Sequence, residues 1–190
     1  MSTPRTLDVG CGDNKRDPDA VGLDVRPYDA VDVVYDVTVT PWPFPDGTFD
    51  RVNAYSVLEH LPNLPAVMAE IHRVCRDGAV VAGKVPHWSD RNAYVDPTHV
   101  AHPRAPAADG GDPVTHPRAS GEDGDTLPGA PPVTMVAGFD ERTFEFWDPT
   151  TELGSRGYFD PEFRVRRARR VRRLQFWKSR PVEFELEVVK

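Results

Sequence analysis

Short apolar runs recur through the first half of the chain, each rich in valine and closed by Gly, Asp or Pro. Residues 6–9, 20–25, 31–35, 49–55 and 79–85 read as strands of the kind buried in a parallel sheet. Between the fourth and fifth, Leu64, Val67, Met68, Ile71, Val74 and Cys75 fall at helical spacing and form one apolar stripe. Asn63 can cap that helix, Pro65 suits its first turn, and Gly78 follows its end. Strands interleaved with helical segments predict an α/β sheet.

The pattern collapses between residues 100 and 134, where Pro, Gly, Ala and Asp dominate and large apolar residues almost vanish. Such a segment buries too little surface to offset its ordering entropy, so it is expected to be a disordered surface insertion. Its length suits a lid, although idle decoration is the preferred reading. Order returns at Phe139. Asp140 is expected to cap a helix carrying Phe144, Phe146 and Trp147. Residues 163–177 and 182–189 then read as two strands joined by a tight Lys-Ser-Arg-Pro turn. In the last, Val182, Phe184, Leu186 and Val188 alternate with Glu183, Glu185 and Glu187, which predicts an antiparallel strand with one wet face. The expected fold is a single α/β domain over residues 1–190, with a Rossmann-like, mostly parallel sheet ending in an antiparallel hairpin.

A chain of 190 residues suits one domain, and a 39% hydrophobic content suffices for its core. Its net charge of -7 makes a general nucleic-acid binder a poor expectation, because phosphate repels it. No apolar run approaches the roughly 20 residues needed to span a bilayer. The N-terminal residues lead straight into a strand pattern, so no signal peptide is expected. Two cysteines, Cys11 and Cys75, make no disulfide framework and have no metal-ligand spacing. A cytoplasmic location is therefore expected. Lysine occurs only at Lys15, Lys84, Lys178 and Lys190, while Arg and Asp abound. That balance fits a salt-rich environment, where screening acts within roughly 3 Å at 1 M, and equally a GC-rich genome.

Candidate chemistry begins at the first strand. Gly10 and Gly12 stand at its carboxyl end, where glycine lets the backbone turn tightly and approach a ligand. Asp24 ends the second strand, where a carboxylate can accept both hydroxyl hydrogens of a ribose. Asp36, ending the third, is followed by apolar Val37, a pairing that suits an adenine. Lys15 occupies the third position of a Gly-x-Gly-x-x-Gly pattern, which disfavours a pyrophosphate cradle. S-adenosylmethionine, which has no phosphate, fits better.

On these residues the chain resembles the class I S-adenosylmethionine-dependent methyltransferases, and most closely the methyltransferase type 11 group. The resemblance rests on Leu7-Asp-Val-Gly-Cys-Gly, Gly22-Leu-Asp and Pro43-Phe-Pro-Asp-Gly-Thr-Phe-Asp-Arg-Val. It continues through Ser56-Val-Leu-Glu-His-Leu and Glu70-Ile-His-Arg-Val-Cys-Arg-Asp-Gly, covering roughly residues 5–99. It implies a cofactor set of Asp8, Gly10, Cys11 and Gly12 beside the methionine part and Asp24 with Val25 at the ribose. Asp36 and Val37 would flank the adenine, and Tyr55 with Ser56 would line the cleft. One departure stands out: residues 13–18 are too few for the usual first crossover helix. Either one helical turn suffices, or the sheet is bare on that side and open to a partner or a second copy.

Methyl transfer needs positioning and desolvation, and a base only if the acceptor must lose a proton. Glu59 and His60 follow the fourth strand; His87, Asp96 and His99 follow the fifth. These five are the candidate catalytic residues, because histidine titrates near neutrality and a carboxylate can orient it. Related methyltransferases carry a similar Asp-Pro-Thr-His segment, which favours acceptor contact over a simple turn. A metal site built from His87, Asp96, His99 and His102 is disfavoured, and no metal is expected. Trp42 and Phe44 read as packing. The arginines at 164, 166, 167, 169, 170, 172 and 173 read as a charged edge strand rather than an RNA or anion site. The expected acceptor is a small molecule. The competing readings are a noncatalytic module of the same fold and an RNA or anionic-substrate enzyme using the arginine run.

Overall fold

The computed structural model describes residues 5–90, 92–96, 98–99, 139–171 and 181–190. Seven strands form one sheet: β1 (Thr6–Val9), β2 (Val21–Asp24), β3 (Val33–Val34), β4 (Phe49–Tyr55), β5 (Cys75–Pro86), β6 (Glu162–Arg170) and β7 (Pro181–Val189). Their order is β3-β2-β1-β4-β5-β7-β6. The first five run parallel, and β7 inserts antiparallel between β5 and β6. The parallel sheet and its antiparallel end are thus as the hydrophobic pattern indicates. β3 is shorter than the 31–35 run suggests, because Tyr35 leaves the ladder after a single bond to the Asp24 carbonyl.

Helix α1 (Leu64–Val74) begins where expected, with the Asn63 side chain accepting from the Ala66 N–H and Pro65 in the first turn. Its end differs. Cys75 is already extended, so α1 passes directly into β5. Gly78 is not a helix stop; at φ 73° it lies in an irregularity of β5, where Phe49 pairs with Cys75 but Arg51 with Val80. The buried stripe Leu64, Val67, Met68, Ile71 and Val74 joins Leu7, Val9, Val52 and Val81 in one core, extended by Phe139, Phe144, Phe163 and Phe184. Gly83 is required there, since a Cβ would collide with the Ala54 carbonyl and the Phe184 ring. Asp140 does not cap the element that follows, which is shorter than expected: its Oδ1 accepts from the Arg142 N–H and the Thr143 hydroxyl in a turn of its own, and the 3-10 turn over Thr143–Trp147 starts from Arg142 with no side-chain cap.

The opposite face of the sheet is polar. Cross-strand neighbours place Thr6, Arg51 and Val80 in one row, Asp8, Asn53 and Ala82 in the next, and Tyr55 beside Lys84. The rows continue onto Glu187, Glu185 and Glu183 of β7, then onto Arg164, Arg167 and Arg169 of β6. The register shift between Val165 and Arg167 brings Arg167 and Arg169 onto the glutamate face that Arg164 already occupies, where opposite charges across strands are mutually favourable. Arg166 pairs with Glu187 and Arg169 with Glu183, both at 3.0 Å. β6 is an edge strand, in accord with the protective reading of its arginines. Arg172, Arg173, the Lys-Ser-Arg part of the predicted turn and the insertion at 100–134 lie outside the described residues. Between β1 and β2 the chain makes turns and no helix, so the crossover side has no helical cover among the described residues.

Candidate functional site

At the carboxyl end of β1, Gly10 and Gly12 take φ of 66° and 60°, a left-handed conformation in which side chains are strained. A Cβ on Gly10 would strike Val57, whereas one on Gly12 would meet nothing within 4 Å. Gly10 is thus fixed by packing, and Gly12 faces open space. The Gly12 N–H donates to Asp24 Oδ2 at 3.0 Å, and the Arg26 N–H donates to Oδ1 at 2.9 Å. An ionised carboxylate accepts about four hydrogen bonds, so each oxygen keeps a lone pair for a ligand. Val25 presents an exposed apolar side chain beside it.

The other expected cofactor residues divide between the cleft and the core. Asp8 is buried, accepts the Arg16 N–H at 2.6 Å, and has its carboxyl raised by desolvation. It therefore supports the loop from below. Burial, with Asp8 and Asp24 nearby, pushes the Cys11 thiol up to about 11, which leaves it inert. Asp36 is exposed and tied to Thr38 through N–H and hydroxyl, which holds its carboxyl below the usual range. Val37 is buried in the core, and its carbonyl accepts the Trp42 indole N–H at 3.0 Å. Its side chain therefore packs in the core beneath the end of β3. Trp42 is itself buried and Phe44 meets Phe49 edge-on, so both are packing residues as expected. Ser56 adopts φ 56°, unusual for a residue with a side chain, as β4 ends. The Arg16 guanidinium stacks 4.0 Å from the Tyr55 ring centroid.

Beyond Ser56, a 3-10 turn (Leu58–His60) carries Glu59 and His60. Glu59 is 5% exposed, and its Oε2 has no hydrogen-bond partner among the described residues. Desolvation pushes its carboxyl up to about 7. The short helix α2 (Asn92–Val95) leads to Asp96 and His99, which come to rest against this turn. His60 and His99 meet edge-on with centroids 4.7 Å apart, and His99 Nε2 lies 3.9 Å from Asp96 Oδ2. Thr98 ties the two segments together, donating its hydroxyl to Asp96 Oδ1 at 2.6 Å and lying 2.9 Å from His60 Nδ1. Four of the five candidate catalytic residues are thus neighbours.

His87 belongs elsewhere. It is buried beside Ser89, with Nδ1 2.9 Å from the hydroxyl, and its Nε2 is 3.5 Å from Glu141. Burial, and then the Arg170 charge, push its imidazole below the ordinary value. Arg170 also donates to the Ser89 hydroxyl at 2.7 Å. These contacts fasten the ends of β5 and β6 rather than face the Glu59 group.

The sheet order, the glycine turn and the acid at the end of β2 coincide in a recurrent architecture. A family profile described as "Methyltransferase domain" matches residues 7–83. The fold is that of the class I methyltransferases. A methyltransferase from Methanosarcina mazei aligns over 100% of this chain and 94% of its own, at 14% identity and TM-score 0.55. The N-methyltransferase NodS of Bradyrhizobium japonicum, solved with S-adenosyl-l-homocysteine, aligns over 98% of this chain and 79% of its own, at 10% identity and TM-score 0.56. A putative methyltransferase solved in complex with the Trm112 activator from Haloferax volcanii aligns over 44% of this chain and 46% of its own, at 19% identity and TM-score 0.35. The chain thus spans less than half of that last protein. No curated protein sequence matches it.

Within this fold, sequence reasoning missed the parts that brace the site. Lys15 bridges to Asp32 at 2.9 Å, and Asp32 also accepts the Gly22 N–H at 2.7 Å, closing the turn that a first helix would otherwise shape. Arg73 grips Glu70, Asp46 and the carbonyls of Trp42 and Phe44, fixing the 41–47 loop against α1. The spacing of Arg73 from Glu70 was the only visible signal for that brace. No helix among the described residues is long and apolar enough to cross a membrane.

Proposed function

We propose that this chain is an S-adenosylmethionine-dependent methyltransferase whose cofactor lies across the carboxyl ends of β1, β2 and β4. The observation that carries the reading is the joined pair Gly12 and Asp24. An unobstructed glycine backbone stands beside a carboxylate with spare lone pairs, as a ribose diol bonded to a chain without phosphate requires. Bound there, the cofactor supplies a methyl group on a positive sulfonium. Val25 gives the nucleoside an apolar edge, and Asp36 stands at the adenine side. The glycine turn and Ser56 leave backbone exposed toward the methionine part. The neighbouring set Glu59, His60, Asp96 and His99 forms the acceptor side, where it orients the incoming atom and can receive a proton.

Two described arginines of β6 are already paired with glutamates of β7, so the arginine run supports edge protection over anion capture. A small-molecule acceptor remains the favoured class, and a cytoplasmic location goes with this reading. Incubating the full chain with methyl-labelled cofactor and fractionated cell extract tests the proposal. Label is expected in the small-molecule fraction, in an amount that grows with enzyme concentration. Label confined to RNA would overturn the acceptor class, and no enzyme-dependent label in any fraction would support the noncatalytic module instead.

A further inference from the structure

Glu59, His60 and His99 each offer one ligand atom, and the three atoms lie within 4.8 Å of one another. Ligands around one ion at about 2.1 Å stand roughly 3–3.5 Å apart, so small side-chain rotations close the set. The hydrogen bonds around the two imidazoles prepare it. Thr98 has a single hydroxyl proton, and Asp96 Oδ1 takes it at 2.6 Å. The 2.9 Å contact between Thr98 Oγ1 and His60 Nδ1 is then donated by the histidine, leaving the lone pair of His60 on Nε2. His99 Nδ1 lies 3.2 Å from the Ala93 carbonyl, which can only accept, so its lone pair is also on Nε2. An imidazole whose other nitrogen is held by a carbonyl or hydroxyl is the usual form of a metal-ligating histidine. Glu59 supplies the independent sign: a carboxylate in a residue only 5% exposed, with one oxygen left unpartnered. Burying such a group without compensation is costly, and a cation would supply it.

The geometry points to a divalent-cation site formed by Glu59, His60 and His99, with Thr98 and Asp96 as its outer support. This departs from the expectation of no metal, and from the His87, Asp96, His99 and His102 set weighed in the sequence. Two imidazole nitrogens and one carboxylate oxygen select a first-row transition ion such as Mn²⁺, Co²⁺ or Zn²⁺ over Ca²⁺. Three protein ligands leave coordination positions open. Resting on the proposed methyl transfer, those positions would take an acceptor that presents an oxygen ligand, most simply a hydroxyl.

The test is a metal titration, which needs neither cofactor nor acceptor. Tag-free full-length chain, freed of metal by chelator and dialysis, is titrated with Co²⁺ by visible absorption and with Zn²⁺ by calorimetry. One equivalent is expected to bind, with affinity reduced more than about tenfold in Glu59→Gln and in His99→Ala. Thr98→Val, at an exposed side chain and with an unchanged melting curve as the check on folding, is expected to weaken it by about 10–100-fold through the lost outer contact. His87→Ala is expected to bind as the parent does. Absence of stoichiometric binding, or equal affinity in Glu59→Gln, His99→Ala and Thr98→Val, overturns the site. Ion binding by a chain that transfers no methyl group supports the site and contradicts the activity; methyl transfer by a chain that binds no ion does the reverse.

Discussion

Replacing His99 by alanine is expected to lower methyl transfer by about a hundredfold or more, the loss expected when a group that positions the acceptor is removed. Cofactor affinity should be unchanged, because among the described residues His99 contacts Ala93, Asp96 and His60 rather than the glycine loop. The prediction separates an acceptor-side role from a structural one. If His99 only ties down the turn after α2, the substitution costs about 1 kcal/mol of stability and leaves turnover per folded molecule intact. A melting curve and a turnover assay on the same preparation distinguish the two. Equal turnover in His99→Ala and Asp96→Ala would move the acceptor site away from this segment.

Glu59→Gln is expected to stabilise the metal-free chain at about pH 8 while impairing its chemistry. Burial raises the Glu59 carboxyl from its ordinary value of 4.5 to about 7, so the folded state prefers the protonated acid. A raised carboxyl contributes its stability fully below about 4.5 and loses it as pH rises through about 7. At about pH 8 the buried anion is therefore a liability on the order of 3 kcal/mol. Glutamine has the same shape without the charge. Urea unfolding in the presence of a chelator should show the variant more stable at about pH 8 and equal to the parent near pH 4.5. Equal stability at both would mean that solvent or another group already satisfies Glu59. A residue kept where it destabilises the fold points to service at the site.

The contrast between these residues shows what the sequence could convey. The parallel strands, α1 and the antiparallel β6–β7 pair were legible because each depends on a local period. Valine runs, a helical stripe and strict alternation in 182–188 all survive folding unchanged. The places of Gly10, Gly12 and Asp24 at strand ends were legible for the same reason, since the pattern itself defines those ends. The Glu59, His60 and His99 group was only half legible. The residues could be named as candidates, but their meeting depends on the 96–99 segment folding back onto the turn after β4, and no local period encodes that return. His87 was grouped with them by sequence proximity, yet contact with Ser89 and Glu141 draws it toward β6. Val37 is expected beside the adenine because it follows an acid; its side chain is buried in the core and its carbonyl is held by Trp42. The early end of α1 was hidden because Val74 and Cys75 continue the helical stripe although Cys75 is extended.

The Gly12–Asp24 cleft is expected to bind the nucleoside part of S-adenosylmethionine. Calorimetric titration of the full chain with S-adenosylhomocysteine tests it most directly, with Asp24→Ala as the partner measurement. The parent should bind one equivalent, and Asp24→Ala should bind about ten- to a hundredfold more weakly while melting as the parent does, since the lost charge-assisted bonds are worth roughly 1.5–3 kcal/mol. No binding by the parent, or an affinity that Asp24→Ala leaves unchanged, would contradict the account.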